Sequence, residues 1–333
     1  MHLLCAGLLS TLLMLLCGCA RHSVTIATEH RTLVADDGYR LVRYRLMDWD
    51  GDGPRYPQPR GVVYYIQGSD DVTALGATQK MAAAAAIGLD IVMIERRGVT
   101  RDGLTSPTDA ALYATKQTRV ADTLTMVRDD LSRRKPGGPV LLVGASEGGD
   151  VASAVAAREP RVTHVVLLGS GGGMTQADEF RSLWRQLPPQ LGIRSLADLE
   201  AVFADIRANP DSDKRWYGHP YRRWASYAFD RPLDDLLKVT APILIAHGEA
   251  DVNVPPASAR AVRDAFAAAG KRNLTYRAYA GADHHFTRAD GVSVFPLVEI
   301  DLVEWLRDTG AMPRAEADGF ATRVRRAHPE VFR

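Results

Sequence analysis

The sequence predicts an α/β fold: a mostly parallel central sheet with helices on both faces and a helical segment inserted between two of its strands. Three observations lead there. Short, continuously apolar runs alternate with helical patterns along most of the chain, and unbroken apolar strands are those buried on both faces of a parallel sheet. The run Pro139-Val140-Leu141-Leu142-Val143 leads directly into the glycine-flanked turn Gly144-Ala145-Ser146-Glu147-Gly148. Residues 171–238 hold helical patterns and no strand pattern.

In chain order, Thr32–Ala35, the turn Asp36-Asp37-Gly38 and Tyr39–Leu46 read as a β-hairpin, because an Asp-Gly pair between apolar runs favours a tight reversal. Residues 51–59 are a turn-rich connection. Gly61–Ile66 is a short buried strand, Thr78–Ile87 a helix, Leu89–Ile94 a strand, and Ala121–Leu131 a helix with Leu124, Val127 and Leu131 on one face. The strand ending at Val143 feeds a helix that starts near Glu147. Then come a strand Val162–Leu168, a strand Ala241–Ala246, a helix Ala257–Ala269, a strand Asn273–Tyr279 and a helix Val292–Leu306. The opening hairpin is the antiparallel edge. Within the insertion, Ala177–Leu187, Ser195–Ala208 and Tyr221–Phe229 read as helices separated by prolines. An insertion at the end of a strand lies over the face of an open sheet where ligands bind, so 171–238 is expected to act as a lid. The body is then 19–170 plus 239–310, and 311–333 is a basic tail (Arg314, Arg323, Arg325, Arg326) expected to form a surface helix.

Basic and acidic residues balance, 41 against 40, which gives no electrostatic footprint for nucleic acid. A hydrophobic share of 46% suits an ordinary globular core. Beyond the first residues no H-x-x-x-H or C-x-x-C pattern is present, and Gly169–Gly173 lacks full dinucleotide spacing, so no metal and no cofactor is expected.

The N-terminal residues read as an export leader. Leu3–Leu16 is apolar and closes on Leu16-Cys17-Gly18-Cys19. The three cysteines (Cys5, Cys17, Cys19) all sit at this end, so a chain starting at Cys19 would keep one thiol and no disulfide. The segment resembles the lipobox of bacterial lipoproteins. That implies a signal peptide over 1–18, lipidation at Cys19, and a membrane partner reached through the lipid anchor. With Ala20 after the cysteine, the resemblance points to the outer membrane of the cell envelope, facing the periplasm. It departs from the usual pattern in having no Lys or Arg before the apolar run. From Arg21 onward no apolar run is long enough to span a bilayer.

The chemistry-bearing residues fall on three loops. A G-x-S-x-G turn between a strand and a helix projects its serine and lets the flanking backbone close up, since glycines carry no Cβ. A serine nucleophile needs a base, and the base an orienting acid. After strand 241–246 the chain reads His247-Gly248-Glu249-Ala250-Asp251-Val252-Asn253-Val254-Pro255, and after strand 273–279 it reads Gly281-Ala282-Asp283-His284-His285-Phe286. With the elbow, these motifs resemble the α/β-hydrolase family over about 32–306. The resemblance implies an α/β-hydrolase fold, Ser146 as nucleophile, Asp251 as acid ahead of its competitor Glu249, and His284 as base ahead of His285. It also implies an oxyanion hole built from the backbone N–H of Glu147 and one after strand 61–66, where Gln67-Gly68-Ser69-Asp70 stands in place of the family's His-Gly; Ser69 is favoured over Asp70. His247 reads as structural, and Glu95-Arg96-Arg97-Gly98 resembles a family loop that is mostly structural.

Three of the five tryptophans lie in the insertion, with Lys214, Arg215, Arg222 and Arg223 among its aromatic residues. Trp184, Trp216, Tyr221 and Trp224, together with His285, are candidates for an acyl or aryl pocket rimmed by positive charge. The expected activity is hydrolysis of a small-molecule ester or other acyl substrate, with thioesters and short peptides or amides open. The alternatives are a non-catalytic, surface-anchored binding protein and another reaction on the same fold.

Overall fold

The computed structural model describes residues 25–49, 56, 58–69, 74, 87–99, 115–135 and 137–332. The leader, Cys19, Asp70 and all but Ile87 of the helix expected at 78–87 lie outside the described residues.

Eight strands form one sheet among the described residues. β1 (Thr25–Val34) and β2 (Arg40–Trp49) make the antiparallel hairpin, and β2 pairs antiparallel with β4 (Leu89–Ile94). From there every pairing is parallel: β4 to β3 (Gly61–Ile66), β3 to β5 (Val140–Ala145), β5 to β6 (His164–Leu168), β6 to β9 (Ile243–Gly248) and β9 to β10 (Leu274–Tyr279). The chain leaves β3 toward one edge to form β4 and returns on its other side to form β5, so a switch point lies between β3 and β5. Connections that part in opposite directions open a crevice beyond the carboxyl ends of the two strands. Ile66 and Gly144 are register partners there, which brings the loop after β3 and the turn after β5 out side by side.

Residues alternate between two apolar layers. Val63, Tyr65, Leu141, Val143, Leu244 and Ala246 feed one, packed by α8 (Phe295–Asp308) and α9 (Arg314–Ala327). Val62, Tyr64, Leu142, Ile243 and Ile245 feed the other, packed by α1 (Lys116–Arg133), α2 (Gly148–Ala156) and α7 (Pro256–Ala268). Burial on both faces is why these strands read as unbroken apolar runs. α1 starts ahead of the expected Ala121, because Thr115 caps it by accepting the Thr118 N–H at 3.2 Å.

The basic tail is not a surface appendage. In α9, Ala317, Phe320, Ala321 and Val324 recur at helical spacing and are buried in the first layer, followed by Val331. The stripe is narrow and half alanine, which made it faint beside the arginines.

Residues 171–238 connect β6 to β9. They contain α3 (Gln176–Leu183), α4 (Leu196–Ala208), α5 (Tyr221–Tyr227) and α6 (Leu233–Leu236). The expectation of helices alone is corrected by a two-residue ribbon, β7 (Arg215–Trp216) against β8 (His219–Pro220). Its turn has positive φ at both Tyr217 and Gly218, 45° and 78°. The insertion has its own apolar cluster around Leu199, Phe203, Ile206, Trp216, Tyr221 and Trp224. No helix among the described residues is long and apolar enough to cross a membrane.

Candidate active site

Ser146 follows β5 in a left-handed conformation, φ 52°, which a residue with a Cβ adopts only when its surroundings impose it. Two bonds do so: its N–H donates to Leu168 C=O in β6 at 2.8 Å, and Gly149 N–H donates to its own carbonyl at 2.8 Å. The turn is tight enough that a Cβ on Gly144 would lie 2.5 Å from Gly148 O. Only glycine tolerates that approach.

The acid and base loops leave the adjacent strands β9 and β10. Asp251 is 3% exposed. Its Oδ1 accepts the N–H groups of Asn253 (2.8 Å) and Val254 (2.9 Å), which aims Oδ2 away from its own loop. Oδ2 lies 2.7 Å from His284 Nδ1, and His284 Nε2 lies 3.0 Å from Ser146 Oγ. With Nδ1 protonated and donating to the carboxylate, Nε2 is free to accept from the serine hydroxyl. His247 lies beneath, fully buried, 3.1 Å from Val254 O and 3.5 Å from Asp251 Oδ2. Burial lowers its pKa, which keeps it neutral there and bracing the acid loop. The competitor Glu249 is exposed, and His285 is exposed beside His284, with ring centroids 5.5 Å apart.

A cavity opens at the carboxyl ends of the strands, its wall including Ser146, Glu147, Ser69, Gly68, His284 and His285. Glu147, which precedes the first residue of α2, and the loop Gln67-Gly68-Ser69 after β3 line this cavity together with the serine. Three of the acidic residues in the cavity wall have raised pKa values. Burial pushes Asp150 up to about 6, against the charge of Lys116 and the bond from Gln176 Nε2 at 2.9 Å. Burial pushes Glu179 up to about 8, Ser258 opposing and the charges of Asp150 and Asp251 adding to it. Burial alone pushes Glu299 up to about 7. Among the described residues, no cluster of His, Cys, Asp and Glu could hold a metal ion.

The aromatic candidates divide. Trp224 and His285 line the cavity, alongside Phe180, Tyr217 and His219. Trp216 and Tyr221 do not; they are buried in the insertion's own cluster, and Trp184 packs at its edge beneath Arg185, whose guanidinium stands 4.7 Å from the ring. Tyr227 of α5 and Leu233 and Leu236 of α6 pack into the second layer of the main body; the rest of the insertion needs a core of its own, and the largest rings supply it. Of the positive rim, only Arg223 lines the cavity, and Lys214, Arg215 and Arg222 stand outside its wall. Lys214 pairs with Asp205, Arg215 donates to Gly218 O, Arg222 donates to Asp211 O, and Arg223 pairs with Glu147. Arg97 is held by Asp37 and Asp122, with no nitrogen turned to the cavity wall. Sequence reasoning placed the backbone N–H of Glu147 but missed its side chain, Arg119 and the acids Asp150 and Glu179. The one available signal was Asp150, a charge within the otherwise small and apolar helix Gly148–Ala156.

This sheet, its switch-point serine and the neighbouring histidine and carboxylate define a serine hydrolase of α/β-hydrolase fold. Residues 57–289 match the family model for serine aminopeptidase, S33, and the chain belongs to that family. No curated protein matches. Similar solved structures include an acylaminoacyl peptidase from Pyrococcus horikoshii, at 15% identity and a TM-score of 0.59, covering 85% of this chain and 41% of that one. They also include Est1E from Butyrivibrio proteoclasticus with ferulic acid bound, at 19% identity and TM-score 0.58, covering 85% of this chain and 100% of the other. A third is a putative dienelactone hydrolase from Klebsiella pneumoniae, at 14% identity and TM-score 0.54, covering 86% and 99%. The chain thus spans less than half the length of the acylaminoacyl peptidase. At these identities the likeness is one of fold.

Proposed function

We propose that this hydrolase cleaves carboxylic esters through Ser146, His284 and Asp251, and the reading rests on the continuous contact from Ser146 Oγ through His284 to Asp251, at 3.0 and 2.7 Å. Nε2 takes the hydroxyl proton as Oγ bonds to the ester carbon. The carbonyl oxygen becomes an oxyanion received by the N–H groups of Glu147 and Ser69. The imidazolium, held by Asp251, gives its proton to the departing alcohol. Water, deprotonated by the same nitrogen, then releases the acid and restores Ser146. The insertion at 171–238 covers the reacting groups as a lid. Ser146→Ala is expected to remove turnover of p-nitrophenyl esters and labelling by a fluorophosphonate while leaving the fold intact. Parental turnover in that variant would overturn the reading.

A second substrate reading is favoured by Asp150 and Glu179 in the cavity wall. Carboxyl groups held out of water accept a cationic substrate end readily, since the ammonium replaces the solvation they lack. An aminoacyl amide or ester then joins the substrate class, in keeping with the name of the matching family. Matched acetyl and aminoacyl p-nitroanilides and esters separate the two: preference for the neutral acyl group sinks the aminoacyl reading.

We further propose that Cys19 carries lipid and that the enzyme works at the periplasmic face of the outer membrane. The support is the apolar run Leu3–Leu16 closing on Leu16-Cys17-Gly18-Cys19. Cys19→Ser should lose metabolic labelling by an alkynyl fatty acid and leave the membrane fraction; label retained in that variant defeats the assignment.

A further inference from the structure

The side chain of Glu147, the neighbour of Ser146, turns into the protein and is 8% exposed. Its Oε1 accepts from Arg119 Nη1 on α1 at 2.7 Å. Its Oε2 pairs with Arg223 Nη2 on α5 of the insertion. Arg119 has a second hold: its Nη2 donates to the carbonyl of Gln67, the first residue after β3, at 2.5 Å. One carboxylate therefore ties together the serine turn, the loop after β3 and the insertion. Arg223 is 5% exposed, its guanidinium 4.2 Å from the Trp224 ring centre, so the insertion's end of the chain is as firmly seated as the others.

We infer that Glu147 is a positioning residue whose carboxylate, through Arg119, sets the distance between the two amides that receive the oxyanion and ties that distance to the seating of the insertion. The inference rests on the serine-hydrolase reading above. The peptide Gln67–Gly68 is planar, so gripping its carbonyl fixes the whole plane. Only the two torsions of Gly68 then separate that plane from the amide of Ser69. The other amide belongs to Glu147 itself. Both donors are thus referenced to one side chain, and a donor displaced from the oxyanion loses most of its effect on the transition state while substrate binding is little changed. The bidentate geometry of Arg119 is essential, because a lysine offers one charged nitrogen and cannot hold Glu147 and Gln67 at once in the same planar arrangement.

Glu147→Gln and Arg119→Lys test this against the parent and Ser146→Ala. Expected for both is a fall in kcat of roughly 10–100-fold with KM within about threefold, since part of one oxyanion donor is lost. The inhibition constant of an alkyl boronic acid, whose tetrahedral adduct places an oxygen in the hole, should rise in step with the fall in kcat. Inhibition by the product carboxylate should stay near parental. Parental kcat and boronate affinity in both variants, or a rise in KM alone, would overturn the inference. If Glu147→Gln does not fold, because two buried guanidinium groups lose their counter-ion, Arg119→Lys keeps the cation and decides the question. Turnover surviving in Ser146→Ala would instead remove the serine reading, and with it this one; an inactive Ser146→Ala beside fully active Glu147 and Arg119 variants removes this inference alone.

Discussion

Gly148 and Ile66 meet so closely that a Cβ on Gly148 would fall 2.2 Å from Ile66 O, and 2.7 Å from Gln67 O. The first residue of α2 thus packs directly beneath the end of β3. This is the second physical link between the serine turn and the loop that follows β3, alongside the Arg119 bridge, and it is steric rather than ionic.

Gly148→Ala should force those two segments apart. Overpacking of a tight site costs about 1–3 kcal/mol, and moving one side of the oxyanion site should cost roughly tenfold or more in kcat. Denaturant unfolding and ester hydrolysis on the same preparation check both. A stable, fully active alanine variant would mean the contact yields freely.

Asp251→Asn keeps the size of the side chain and removes its charge. Oδ1 already accepts two N–H groups, so the amide nitrogen is directed toward His284, where it donates to Nδ1 and favours the proton on Nε2. Nε2 then cannot accept from Ser146. A loss of about 10³–10⁴ in kcat is expected with little change in unfolding midpoint. A loss under about tenfold would place the orienting acid elsewhere.

Glu179 carries a pH signature. Its pKa rises from the ordinary 4.5 to about 8 on folding. Between those values the folded state keeps a proton that the unfolded state has released, so stability is full below about 4.5 and declines as pH rises toward 8. Glu179→Gln cannot ionise and should remove that share of the decline. Unfolding midpoints of parent and variant from about pH 5 to pH 8 read the difference, and parallel curves would refute it.

Phe320 tests the standing of α9. It is buried against α8, and Phe320→Ala should cost about 3–5 kcal/mol, as aromatic truncations in a core do. Arg325→Ala, which loses only an exposed contact with Glu304, should lie within about 0.5 kcal/mol of the parent. Equal stability of the two variants would show the tail to be an appendage after all.

The strands Gly61–Ile66 and Leu89–Ile94 were legible to the residue, because a strand buried on both faces is apolar at nearly every position; the buried exception, Asp90, is paired with Arg45 and Arg134. The order of serine, acid and histidine loops was legible because each follows such a strand. The insertion was legible in outline only. Trp216, Tyr221 and Trp224 look alike in sequence, yet all three fill the insertion's core and only Trp224 also reaches the cavity wall. Aromatic composition reports a demand for burial and not which surface meets it.

The sequence by itself determined the alternation of strand and helix, the tight turn at Ser146 and the succession of loops, since run length, glycine placement and turn chemistry act over a few neighbouring residues. Only the tertiary structure decided which charges pair. Glu147 finds Arg119 and Arg223 across elements distant in the chain, and the same folding buries Arg223 of the insertion, leaves Lys214 and Arg215 exposed beside their partners, and makes α9 part of the core. An ion pair depends on separations of a few ångströms in space, and these follow from the packing of the whole chain rather than from any local pattern.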